Sequence, residues 1–271
     1  MASNLGCIGL QPESEDGLLD LLNAVESAMR PVGRTDGGAD VLQWTDESGA
    51  RLTLTVSGDD IVDLVPSFAA RTGVSLGGAQ RQGEYVVADV LDAEGEQTTR
   101  LLCELEQAAF LPADGASGAA ALTVFGLDVS VHADESAFAT SDDSVATPGD
   151  PRPRPAELPP GFPWPPRLAA ESFASLGLFD GSSDSGRTDA EPYARVTARV
   201  TEVETRTNSR TGQQFHAVQA SCRGMDLVVC LAAADHPAPS EGNIVSGITY
   251  VVASLPSLWP SAGRDQKSRA R

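Results

Sequence analysis

Leu52, Leu54 and Val56 alternate with Arg51, Thr53 and Thr55, the two-residue period of a strand with one buried face. Polar turns bracket this run, "DESG" at 46–49 and "SGDD" at 57–60. Trp44 lies in an apolar stretch before the first turn and Ile61–Val65 follows the second. Connections this short cannot make a crossover, so the pattern predicts an antiparallel meander. Upstream the period changes. Leu18, Leu21, Leu22, Val25 and Met29 fall on one helical face, with Asp16 expected to cap the start and Pro31 with Gly33 to end it. Further strands are expected over Glu84–Leu91 and Arg100–Glu106. In Leu122–Val131 the apolar positions move from even to odd numbers, and one extra residue near Phe125-Gly126, a β-bulge, would restore a single buried face. No internal repeat is visible.

The last third repeats the strand logic. Val196, Ala198 and Val200 face one way, and Arg195, Thr197, Arg199 and Thr201 the other. The phase slips after Val200, so Val203 is buried only if a residue bulges there. A long strand bent in the middle can serve two sheets, as the first strand of a five-strand OB-type barrel does. "NSRTG" (208–212) then reads as a hairpin loop, Arg223-Gly224 as a tight turn, and strands are expected over Gln213–Cys222, Met225–Leu231 and Asn243–Ala253. That makes four strands. A fifth would come from "LAAESFASLGLF" (168–179), a helical turn or edge strand, or be absent; half of a plain β-sandwich is the alternative.

Between the two patterned regions lies "PGDPRPRPAELPPGFPWPP" (148–166), which holds half of the chain's 18 prolines. Proline has no amide donor and a fixed φ, so the stretch predicts an extended spacer, with Phe162 and Trp164 expected to pack on a domain and its PxxP spacing able to dock an SH3-like groove. The expected fold class is α+β. An N-terminal α+β domain with a mostly antiparallel sheet spans 1–140, a Pro-rich linker 141–166, an OB-like β-barrel 167–260 and a basic disordered tail 261–271.

Charge sharpens this division. Residues 1–150 carry 26 acidic side chains against six arginines, whereas the remainder is nearly neutral, within a formal net charge of −19. Such a front half repels phosphate and anionic lipid, and could offer a docking face to a basic partner or to the chain's own "GRDQKSRAR". Cys7, Cys103, Cys222 and Cys230 form no CxxC, Cys222 and Cys230 are set unequally about their turn, and Cys103 shares a face with Leu101 and Leu105. No basic residue precedes Arg30, and the longest apolar run, 227–234, is too short for a membrane span. A reduced, cytoplasmic protein is expected, with no membrane partner.

An acidic α+β half followed by a β module with "RTNSRTGQQFH" and a late "GNIVSG" resembles uncharacterised bacterial two-domain proteins, more clearly over the last third than before it. The resemblance implies a bacterial origin and two domains, and no chemistry.

Local motifs for chemistry are weak. "GVSLG" (73–77) matches GxSxG, but a strand follows Ser75 where a nucleophile elbow needs a helix. "DGSSDSGRTDAE" (180–191) imitates a calcium loop through Asp180, Ser182, Asp184 and Glu191, yet has Ser185 at the sixth position and Pro192 after the last acid. His132 (near Asp134 and Glu135), His216 and His236 share no metal-ligand spacing, and acid pairs such as Asp59-Asp60 read as solvated turns. No cofactor or metal is expected. One surface suggests binding: Arg195, Arg199, Arg206, Arg210 and Arg223, with Phe215 and Tyr250 for stacking, could line a single-strand nucleic-acid groove. The net charge disfavours that. The leading expectation is a non-enzymatic interaction or adaptor protein with a protein partner, and a homodimer through an edge strand is an option. Nucleic-acid binding by the C-terminal module and a hydrolase with Ser75 or a spatially assembled acid pair are the alternatives.

Overall fold

The computed structural model describes residues 3–12, 14–146, 153–159, 161–178 and 190–260. It is mostly β. Helix α1 (Glu15–Glu26) begins where the Ser14 hydroxyl accepts the Gly17 N–H, so Ser14 is the cap where Asp16 was expected. Pro31 and Gly33 do not merely end the helix; they lie in strand β1 (Arg30–Arg34). With β2 (Asp40–Thr45), β3 (Ala50–Ser57) and β4 (Asp60–Phe68) it forms an antiparallel meander in chain order, as the alternation predicts.

A nine-stranded sheet contains everything else: β5 (Val74–Gln82), β6 (Tyr85–Leu91), β7 (Gln97–Leu105), β8 (Ala116–His132), β9 (Ser172–Ser175), β10 (Tyr193–Thr207), β11 (Gln214–Cys222), β12 (Met225–Ala232) and β13 (Ile244–Ser254). Both expected bulges are present. Leu127 is the extra residue where β8 pairs with β13, and Thr201 is the extra residue in β10. The bend at Thr201 lets β10 pair with β13 through its first half and β11 through its second. Arg223 and Gly224 both take positive φ, 52° and 77°, in the two-residue turn joining β11 to β12.

The pairings close two rings. One runs β10–β11–β12–β8–β13 and back to β10; the other runs β5–β6–β7–β13–β8 and back to β5. In each, one contact is parallel: β12 with β8, and β7 with β13. Each run of four consecutive strands therefore completes its ring with the fourth strand of the other run. The fifth strand missing from the C-terminal pattern is β8, from the front half. Residues 172–175, the expected source, instead pair along the outside of β10. A repeat thus exists in topology that the sequence does not display.

Two separate domains are accordingly not what the chain builds. One apolar cluster takes Leu76, Val90, Leu101 and Cys103 from the front together with Val196, Val218, Leu227 and Val251 from the back. A second sets Trp44, Leu52, Val65 and Phe68 of the meander, with α1, against Phe215, Val228 and Cys230 on the outer face of the ring. The proline segment is not a spacer either. Val145 pairs with Arg167, Ala146 N–H donates to the Pro166 carbonyl at 2.9 Å, and Leu168 N–H to Ser144 at 2.6 Å. Chain that leaves at residue 146 returns beside it, so the excursion separates nothing. Phe162 and Trp164 stay exposed, 46% and 36%, because the cores are already filled from both halves. Residues 261–271 and the calcium-like positions 179–189 lie outside the described residues.

β8 and β13 cross closely at Gly247, where a Cβ would strike the Asp128 carbonyl oxygen and stand 2.6 Å from Val129 Cα. Those obstacles are backbone and cannot rotate away. Gly247→Ala should therefore lower stability by about 1–3 kcal/mol, an overpacking cost, in chemical denaturation; an unchanged midpoint would refute the close crossing.

Candidate functional site

The expected basic groove is not assembled on one exposed surface. Arg195 donates to the carbonyls of Ala146 and Asp143 (2.9 and 2.8 Å), and Arg199 pairs with Glu135 and Glu171 (2.7 and 3.4 Å). Arg206 donates to the Ser48 carbonyl at 2.8 Å, pairs with Glu204 and lies 5.2 Å over the Phe68 ring. Arg210 donates to the Ala24 carbonyl of α1, and Arg223 stands exposed in its turn. Phe215 is fully buried against Phe68, and Tyr250 is buried as well. These arginines tie loops and layers together, which uses the donors a phosphate would need.

Local candidates find structural roles. Ser75 lies inside β5, hydrogen-bonded between β6 and β8, so no elbow forms. His132 approaches Asp143 at 3.1 Å, not Asp134 or Glu135, and its ring meets Phe138. His216 places Nε2 3.1 Å from the His236 carbonyl and Nδ1 2.9 Å from the Thr205 hydroxyl. The carbonyl can only accept, so Nε2 carries a proton. The four cysteines are buried and unpaired with one another; burial pushes Cys7 and Cys222 up to about 12, the thiol form. Among the described residues, no three His, Cys, Asp or Glu side chains could together hold a metal ion.

A different set of side chains does converge. β6, β7, β13 and β10 are neighbours in that order, and on their outer face Tyr85, Glu104, Tyr250 and Tyr193 form a stripe. Glu104 alternates with the core residues Cys103 and Leu105, so it must point outward. Tyr250 lies close enough to Glu104 and Tyr85 for the three to shift one another's proton affinity, and its ring meets Tyr193 edge-on at 5.8 Å. Tyr193 in turn is hydrogen-bonded to Glu191, and its hydroxyl is pushed up to about 12. The meander covers part of this face and leaves a cleft of about 530 Å³, lined by residues 61–65 of β4 and by Arg81, Glu84, Tyr85, Glu104, Leu105 and Ala108. Five consecutive β4 residues of both side-chain parities line it, so the strand meets the cleft edge-on. β4 pairs only with β3. A second hollow of about 450 Å³ continues past Tyr85 to Ala190 and Glu191.

The electrostatics of this cleft are unusual. Burial, and then the nearby Asp63 charge, raise the Glu104 carboxyl to about 8, although Tyr250 opposes the shift. Its Oε2 is enclosed and lacks a hydrogen-bond partner. Burial also raises Asp63, whose carboxylate feels Arg81 and Glu84. Arg81 donates to the Ala108 carbonyl at 2.5 Å. The cleft thus combines a proton-holding acid, further carboxylates, tyrosine hydroxyls, one guanidinium, and the exposed apolar side chains of Ile61 and Val62. Periodicity placed Glu104 in a strand, but nothing local marked it, because its partners come from β6, β13 and β4.

No family model, no curated protein and no solved structure matches the chain. The site therefore has to be read from its own chemistry. Among the described residues, no helix is long and apolar enough to cross a membrane.

Folded Glu104 keeps its proton to about 8, whereas an unfolded glutamate loses it near 4.5. Between those values the folded state binds more protons, so this group costs stability as pH rises through that window. Glu104→Gln mimics the protonated form. Its stability relative to the parent, measured by denaturant titration, should rise from near zero at acidic pH to on the order of 5 kcal/mol by pH 9; a difference independent of pH would refute the assignment.

Proposed function

We propose that the protein is a non-enzymatic, cytosolic interaction protein whose acidic cleft takes an extended, positively charged segment of a protein partner. One observation carries this reading: the edge of β4, with exposed Ile61 and Val62, runs along a hollow that holds the carboxylates of Asp63 and Glu84, together with the protonated Glu104, against one arginine. An extended chain beside such an edge presents alternate side chains to it, so basic residues every second position reach the carboxylates while the others rest on Ile61 and Val62. The front half's excess of acids would steer such a partner in. Four buried, mutually unpaired thiols fit a reducing compartment.

The OB-like reading of the C-terminal strands draws support from the ring order, with its parallel β12–β8 contact and bent β10. It implies no nucleic-acid role, since Phe215 is in the core and Arg195 and Arg199 are engaged.

The raised Glu104 carboxyl favours one second reading, an acid pair with Asp63 acting on a bond in the cleft. Turnover of chromogenic glycosides or esters that vanishes in Glu104→Gln would replace the binding reading with this one.

The direct test uses a labelled eight-residue peptide of alternating arginine and valine. It should bind with an affinity that falls as salt rises, and the double variant Asp63→Asn, Glu84→Gln should weaken it at least about fivefold. Absence of binding at low salt, or binding indifferent to the double variant, would overturn the proposal.

A further inference from the structure

We infer that the chain's own residues 261–271 occupy the acidic cleft and must be displaced by any outside partner, an inference that rests on the binding reading above. Three observations point to it. The first is position. The described chain ends at Pro260, packed on β1 and Phe110: a Cβ at Gly33 would lie 2.7 Å from both Pro260 Cγ and Phe110 Cζ, and the Trp259 ring meets that of Phe110 at 5.9 Å. Phe110 ends the short 3₁₀ turn Ala108–Phe110, whose Ala108 lines the cleft and receives Arg81. Chain continuing from Pro260 therefore starts against a residue two positions from cleft-lining Ala108.

The second is charge. Residues 261–271 carry Arg264, Lys267, Arg269 and Arg271 against one acid, Asp265, in a chain whose formal net charge is −19. The cleft supplies the carboxylates of Asp63 and Glu84, with Arg81 as its one lining cation. The third is reach. Arg264 is four residues beyond Pro260, roughly 13 Å of extended chain, and eleven residues span up to about 36 Å, enough to pass along β4 from Val65 to Ile61. Tethering makes the encounter intramolecular, at an effective concentration on the order of millimolar. Even a weak contact is then populated, and a partner must carry more charge or more apolar contact than the tail to replace it.

Lys267 is the chain's single lysine, which makes the test unusually clean. A zero-length carbodiimide joins an amine to a touching carboxylate. Applied to the full chain at low salt, it should give an intramolecular bond from Lys267 to Asp63 or Glu84, located by peptide mass spectrometry; bonds only to acids remote from the cleft, or none from Lys267, would overturn the inference. A second measurement separates it from the reading beneath it. A labelled synthetic peptide of residues 261–271 is titrated into the parent chain and into the full chain carrying R264S, K267S, R269S and R271S. Binding to the neutralised chain at least tenfold tighter than to the parent is the expected result. Equal binding to both would remove self-occupancy and leave the cleft reading standing. Binding to neither would remove both.

Discussion

The antiparallel pair β8–β13 is the constraint on which the rest of the molecule depends. It runs from Ile244 opposite His132 to Ser254 opposite Ala121, and each strand also completes the other half's ring. Closing a ring pairs edges that would otherwise be open, so neither run of four strands could shed its guest strand without exposing backbone amides and carbonyls. The exchange makes the halves mutually dependent. It also explains why the close approach at Gly247 falls on β13, the strand shared by both rings.

The cleft follows from that exchange. Glu104 lies on β7, and its neighbour Tyr250 on β13, which reaches β7 only because β13 serves the front ring. Tyr193 comes from β10 in the back half and Asp63 from the meander. A carboxyl that would be unremarkable on an open strand is enclosed by three parts of the chain distant in sequence. Burial raises its proton affinity there, and the neighbouring acids add to the effect. The arginines follow the same logic: Arg206 and Arg210 fasten the back half to Ser48 and α1. They hold layers together, and a ligand would have to break those contacts to use them.

Local physics was legible and long-range pairing was not. Alternation located the meander, Leu122–Val131 and the last four strands, and slips in phase located the bulges at Leu127 and Thr201. β5 was missed because "VSLGGAQRQ" breaks its alternation with two glycines where its pairing shifts. The fifth strand was sought next to the four it completes, when nothing local distinguishes β8, whose partners in that ring lie more than a hundred residues away. Prolines were read as an extended spacer, and the described residues of that stretch are mostly exposed but turn at 156–158 and at 161. Whether such a segment spaces two bodies or loops out of one is decided by what its ends touch, here Val145 and Arg167. Glu104 was invisible for the same reason, since enclosure is a property of tertiary contacts.

Native-state hydrogen exchange under graded denaturant tests the central claim most directly. If β8 and β13 bind the two halves into one unit, the amides of residues 121–132 and 244–254 exchange only through the transition that unfolds β5–β7 and β10–β12 together, with one shared free energy. If amides of one ring exchange through a separate, lower-energy opening while the other ring stays protected, the halves are independent and the account built on their shared strands is wrong.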